Sequence, residues 1–163
     1  MKLTGFFAEL NFSARAAEKA VNNKVKLDLF RAWDAWVTEF LKIVPVWSGQ
    51  SVGTILPLAE ILSRPVPIDA PKGHAPGNES GKGAAQSSAT LSGGNGKWFI
   101  TYETALKHLI INEQLDATVF GFHLKKPGPY NFQERAGQAF IEAAKEARLP
   151  DMTDFFDFDK RSF

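Results

Sequence analysis

Between about Ser13 and Lys42 apolar residues recur at steps of three and four: Ala17, Ala20 and Val21 lead into Leu29, Phe30, Trp33, Trp36, Val37, Phe40 and Leu41. A 3.6-residue period sets them on one stripe and predicts a long amphipathic helix. The opposite side carries Lys24, Lys26, Asp28, Arg31, Asp34 and Glu39, the composition of a solvated face. Asn22-Asn23 is a weak point where one helix can give way to two. Pro45 sets the end, because it lacks an amide hydrogen and pushes Val44 out of helical geometry. Beyond it, Ile55, Leu58, Ala59 and Leu62 fit the buried side of a second helix. If Ser48 caps that helix it kinks near Pro57; if Thr54 is the cap, Pro57 falls harmlessly in the first turn. The kinked form is the expectation.

From Ser63 to Lys97 the pattern dissolves into Pro65, Pro67, Pro71 and Pro76, then Gly73, Gly77, Gly81, Gly83, Gly93, Gly94 and Gly96 among Ser and Ala. With so few large apolar side chains to offset its ordering entropy, this stretch is expected to be a flexible arm over about 64–97. Only Val66 and Ile68 suggest a short strand. Trp98-Phe99-Ile100-Thr101-Tyr102, aromatic and β-branched, reads as a strand. Ala105 to Asn112 fits either a strand or a short helix. Lys126-Pro127-Gly128-Pro129 is a turn, after which Asn131 is placed to cap a helix with Glu134 three residues on. That helix is expected to run to about Arg148. Ala136, Ala139, Phe140, Ala143, Ala144 and Ala147 form a side small enough to approach the first helix, or another subunit, closely. Pro150 ends it, and the tail from Asp151 to Phe163 alternates acids with Phe155, Phe156, Phe158 and Phe163.

The expected fold is therefore a single α+β domain over 1–163. A long N-terminal amphipathic helix and a C-terminal helix pack on a small β-sheet, with a long Gly/Pro/Ser-rich loop and an extended C-terminal tail (151–163). At 163 residues, 44% of them hydrophobic, one domain can bury roughly 70% of its unfolded surface. A formal charge of +1 gives no electrostatic reason to expect a nucleic-acid or membrane-surface binder. The lack of cysteine removes disulfides, thiol nucleophiles and thiolate metal sites. No stretch has the make-up of a signal peptide or approaches the ~20 apolar residues of a membrane span. Synthesis in the cytoplasm without a membrane partner is the expectation.

Candidate chemistry is thin. Gly77 to Gly83, GNESGKG, resembles a phosphate-binding loop but has three residues between its glycines rather than four, and Gly83 where a hydroxyl should follow Lys82. His74, His108 and His123 have no ligand spacing to one another. Ser48-Gly49-Gln50-Ser51 lacks the first glycine of a nucleophile elbow. Asn112, Glu113 and Asp116 read as the polar end of a buried segment before they read as an acid/base pair. No catalytic, cofactor-binding or metal-ligating residue is expected. The tail is different: four phenylalanines in a short acidic segment must fold back on the domain or enter grooves on another chain, since free exposure invites aggregation. Both alternatives stay open, so Phe155, Phe156, Phe158 and Phe163 are candidate docking residues.

One series of features resembles the neck and tail-completion (head–tail joining) proteins of tailed bacteriophages. A first helix ends at a junction, Pro45, Val46, Trp47, Ser48 and Gly49. Small and apolar residues follow from Ser51 to Leu62, then a glycine-rich insertion, the strand at Trp98 to Tyr102, the segment His108 to Glu113 ending in the pair Asn112-Glu113, and a last helix with Gly137, Ala139 and Phe140. The series covers most of Leu29 to Ala147; the long insertion and the Phe/Asp tail depart from the simplest pattern. The resemblance implies a structural virion protein without catalysis or cofactor. It would form a six- or twelve-fold homo-oligomeric ring at the head–tail junction, bound to other neck, connector and tail proteins and touching DNA weakly in its channel. It would lie in the host cytoplasm during assembly, with 64–97 and 151–163 as arms that order on a template. A tail terminator capping the tail tube is a close variant; a host-directed adaptor and a metal-dependent hydrolase are readings from other classes.

Overall fold

The computed structural model describes residues 6–44, 49–67, 79–106 and 131–162. In chain order these form β1 (Phe6–Phe12), α1 (Ala14–Ile43), α2 (Gln50–Gly53), α3 (Leu56–Ile61), α4 (Ser80–Ala85), β2 (Ser87–Gly94), β3 (Lys97–Thr104), α5 (Phe132–Lys145), a 3-10 turn (Met152–Phe155) and β4 (Phe156–Ser162). The architecture is mixed α+β, as the periodicities predict. α1 is its axis. It runs unbroken through Asn22-Asn23 and closes where the Val44 amide donates to Phe40 O, immediately before Pro45.

The core forms on one side of the second half of α1. Val37, Phe40, Ile43 and Val44 meet Val52 of α2, Leu58 of α3 and Ile55 between them, with Leu106 and Ala136 beside them. α5 packs along α1 and brings Phe140 against Trp33. The expected face of small residues is used at Ala136, which is fully buried, while Ala144 and Ala147 stay exposed. This helix packs on α1 rather than on the sheet, and it ends at Lys145. Asn131 holds its cap position in a left-handed conformation with no side-chain cap bond, so the expected capping box does not form. The second helix is not one kinked helix but two short ones. The chain breaks at Thr54 and Ile55, and Pro57 falls in the first turn of α3, where its missing amide costs nothing. Ser63, left-handed at φ 53, ends α3: the Arg64 amide donates to Ala59 O (2.9 Å) and the Ser63 amide to Glu60 O (3.0 Å), the Schellman pattern. Arg64 then donates from Nη1 to Asp34 Oδ1 (2.6 Å), Asp34 O (2.7 Å) and Thr38 Oγ1 (2.9 Å), tying this exit to α1.

The expected arm is the largest correction. Residues 79–97 fold as α4 and β2, and β2 pairs antiparallel with β3 from Ser87↔Thr104 to Gly94↔Lys97. Asn95 (φ 51) and Gly96 (φ 78) form the two-residue loop between them, the φ > 0 pair of a type I′ turn. Gly83, one of the glycines that read as disorder, does specific work with Gly53 of α2. α2 and α4 cross with their backbones in contact at Gly53 and Gly83: a Cβ on Gly83 would overlap Gln50 O, and one on Gly53 would overlap Ser80 O. Val66 packs on the core in extended chain without joining a strand; Ile68 lies outside the described residues.

The tail folds back. β4 pairs antiparallel with β1, Phe158 opposite Leu10 and Phe156 opposite Phe12, and the Ser13 amide donates to Phe155 O at 2.9 Å. Among the described residues there are thus two separate two-stranded ribbons rather than one small sheet.

Gly83→Ala is expected to lower unfolding stability by about 3 kcal/mol, since an added methyl must push two helix backbones apart. Gly81→Ala is its control on the same helix, with nothing within 4 Å of the added carbon; it should change stability by less than about 1 kcal/mol. Urea denaturation midpoints of the two variants check this.

Candidate functional site

Three parts of the described surface and interior hold groups that a function could use. The first is the region around the α1–α2 junction. Pro45, Val46, Trp47 and Ser48 lie outside the described residues, as do Asn112 and Glu113; Gly49 is buried and left-handed (φ 81), opening α2. Behind it, where α2 and α4 meet β2 and β3, hydroxyl groups gather. Thr54 Oγ1 donates to Ser51 O (2.7 Å), and Ser87 Oγ reaches both Gly83 O (3.0 Å) and Thr104 Oγ1 (2.9 Å). Ser51, Thr54 and Ser80 are buried. Tyr102 turns its phenol into this seam. Its buried oxygen has no hydrogen bond within normal geometry, with the Thr54 and Ser87 hydroxyls as its polar neighbours. Burial pushes its pKa above the ordinary 10.0, and the two hydroxyls oppose that shift only in part.

The second part is the outer face of the β2–β3 ribbon. Ser88, Thr90, Ser92, Lys97, Phe99, Thr101 and Glu103 are exposed, Phe99 by 58%, while the alternate residues turn inward. The ribbon is locked to α1 at its tip. Asn22 Oδ1 accepts from the Gly96 amide (2.8 Å) and from Trp98 Nε1 (3.0 Å), and the Lys26 ammonium sits 4.8 Å from the Trp98 ring centroid and 5.4 Å from that of Phe30. Asn22, which reads in the sequence as a helix weak point, is the residue that positions the hairpin. Lys26 belongs to this contact and Glu39 pairs with Arg135 on α5 (3.2 Å), so neither is part of a purely solvated face.

The third part is the β1–β4 ribbon. Of the candidate docking residues, Phe155 is half-buried in the 3-10 turn, Phe156 and Phe158 lie at ladder positions of β4, and Phe163 lies outside the described residues. Asp151 shapes the entry: its Oδ1 accepts from the Thr153 amide (3.0 Å) and hydroxyl (2.7 Å), which hold its carboxyl below the usual range.

No nucleophile, base and orienting group come together in these parts. Gly81 and Lys82 lie in α4, where Lys82 Nζ pairs with Glu79 Oε1 at 2.6 Å. His74, His108, His123 and Asp116 lie outside the described residues. Among the described residues no group of three His, Asp or Glu could hold a metal ion, and no helix is long and apolar enough to cross a membrane. Comparison of the chain with protein-family models, with curated proteins and with solved structures gives no match.

Tyr102 gives the site a pH signature. A phenol whose folded pKa is raised binds its proton more tightly in the native state, so its contribution is fully present below about pH 10 and is lost as pH rises from the unfolded value through the folded one. Tyr102→Phe is expected to leave stability at pH 7 within about 1 kcal/mol, because the hydroxyl it removes has no partner. It should also flatten the alkaline loss of stability; thermal melts of both proteins from pH 7 to 11 (roughly the phenol's range) check it.

Proposed function

We propose that the chain is a structural subunit of a phage neck, a ring protein that joins the DNA-filled head to the tail without catalysis or cofactor. The observation that carries this reading is the order of its parts. A long helix stops at Val44, before Pro45 to Ser48. Gly49 then opens two short apolar helices, and β3 and a C-terminal helix bearing Gly137, Ala139 and Phe140 follow in the order the resemblance requires. Tail termination is a variant of the same reading, differing in position along the particle.

The physical case is one of surfaces. Two ribbons leave strand edges unpaired among the described residues, and an unpaired edge is a template for another chain. Rings are built from head-to-tail contacts between copies. With a formal charge of +1, a DNA channel lined by such copies would hold its cargo weakly. The arms of this reading are narrower than the sequence suggests, since 79–97 is part of the folded body and the tail is paired with β1 through β4.

Cryo-electron microscopy of the head–tail junction of particles from the producing phage tests the proposal. The expected result is ring density, six- or twelve-fold, that accommodates the α1–α5 pair and the β2–β3 ribbon in each subunit. Absence of the chain from intact virions would sink it and bring the adaptor and enzyme readings forward.

A further inference from the structure

β3 carries an edge whose chemistry is complementary to itself. The Asn95-Gly96 turn is flanked by Gly94 and Lys97, the closing pair of a two-residue hairpin, which exchanges hydrogen bonds across the ladder. The Ala105 amide, donating to Gln86 O at 2.8 Å, keeps the same phase at the other end. Residues 97, 99, 101 and 103 therefore turn their peptide groups towards β2. Trp98, Ile100, Tyr102 and Thr104 turn theirs outward, to an edge that no strand occupies among the described residues. The edge is eight residues long and carries neither proline nor bulge, two of the devices that keep such edges single, while its charges Lys97 and Glu103 are opposite in sign.

We propose that this edge is the seam of a two-fold dimer, in which β3 pairs antiparallel with β3 of a second copy about Ile100. Antiparallel pairing requires outward-facing residues to meet outward-facing residues, and it keeps each face of the sheet continuous. Centred on Ile100, the pairing puts Ile100 against its own copy and Trp98 against the other copy's Tyr102, all in the hydrogen-bonding phase. On the exposed face Lys97 then lies opposite Glu103 of the second copy, and Glu103 opposite its Lys97. Shifting the register by two residues in either direction loses both charge pairs. Neither Lys97 nor Glu103 has an ion-pair partner among the described residues, and both are exposed. Between them Phe99, 58% exposed, comes to lie opposite Thr101 of the second copy and diagonal to its Phe99, within aromatic reach. The result is a four-stranded sheet, β2–β3–β3–β2, that pairs an edge left open among the described residues. The dimer does not rest on the neck reading: a two-fold seam is complete with two copies, whereas a ring needs a different, head-to-tail contact.

Sedimentation equilibrium of the full chain and of Lys97→Glu, Glu103→Lys and the double reversal tests it. The wild type should dimerise. Each single reversal places like charges opposite each other twice and should weaken the dimer about tenfold or more, while the double reversal restores both pairs and should return the affinity to near wild type. Mixing the two single variants, one of them isotope-labelled, should give heterodimers tighter than either homodimer by native mass spectrometry, an outcome that a folding defect cannot produce. A wild type that stays monomeric, as it would if another part of this chain covered the edge, overturns the proposal. So does a dimer indifferent to the reversals, or one that the double reversal fails to rescue.

Discussion

The ring contacts of Trp36 are the point on which the architecture turns. Its indole stacks on Phe40 (5.2 Å, 13°), meets Trp33 edge-on (5.6 Å) and meets Tyr102 edge-on (5.5 Å), while Trp33 in turn meets Phe140 (5.4 Å). One continuous set of rings thus joins α1 to α5 on one side and to β3 on the other. Aromatic pairs of this geometry add stability beyond the area they bury, about 0.5–1.5 kcal/mol each. More consequentially, they fix directions. An edge-on indole leaves one orientation for the helix or strand that brings its partner, and so the helix pair and the ribbon take their places relative to α1.

Around that set the structure uses two kinds of close fit. The α2–α4 crossing depends on hydrogen atoms standing where side chains would be, and it draws the otherwise polar segment 80–85 against the buried residues of α2. In the hydroxyl seam beneath it, Thr54 and Ser87 each give a second bond to a carbonyl, Ser51 O and Gly83 O, that already accepts a backbone amide. Tyr102 links the two systems, its ring among the aromatics and its oxygen in the seam. That an unbonded phenol oxygen persists there follows from the rings: Trp36 holds the side chain in place whether or not the hydroxyl finds a partner.

Outside the core, the described surface presents two two-stranded ribbons whose outer edges are unpaired among the described residues. The ribbon of β2 and β3 is rigidly held through Asn22 and Lys26, so its outer face and edge are presented in one orientation. The β1–β4 ribbon has a different basis, since it joins the two ends of the described chain and is tied to the start of α1 by a backbone bond from the Ser13 amide to Phe155 O.

Periodicity determined α1, the strand at Trp98 to Tyr102 and the existence of a C-terminal helix, and Pro45 set the end of α1, because each depends on residues within one segment; that the last helix packs on α1 was decided by the tertiary structure. The hairpin was also legible: Asn95-Gly96 ahead of an alternating strand is a strong local turn signal, masked by the surrounding glycine and serine. The tail's alternation of Phe and Asp likewise contained β4, but its partner lay more than a hundred residues away, and pairing at that distance leaves no local trace. Only the tertiary structure decided that Gly83 marks a crossing with Gly53 rather than part of a flexible arm, that Asn22 pins a turn rather than breaking a helix, and that Lys26 covers a ring rather than facing water. In each case the residue's own propensity is indifferent or misleading, and the outcome is set by what another part of the chain brings within a few ångströms of it.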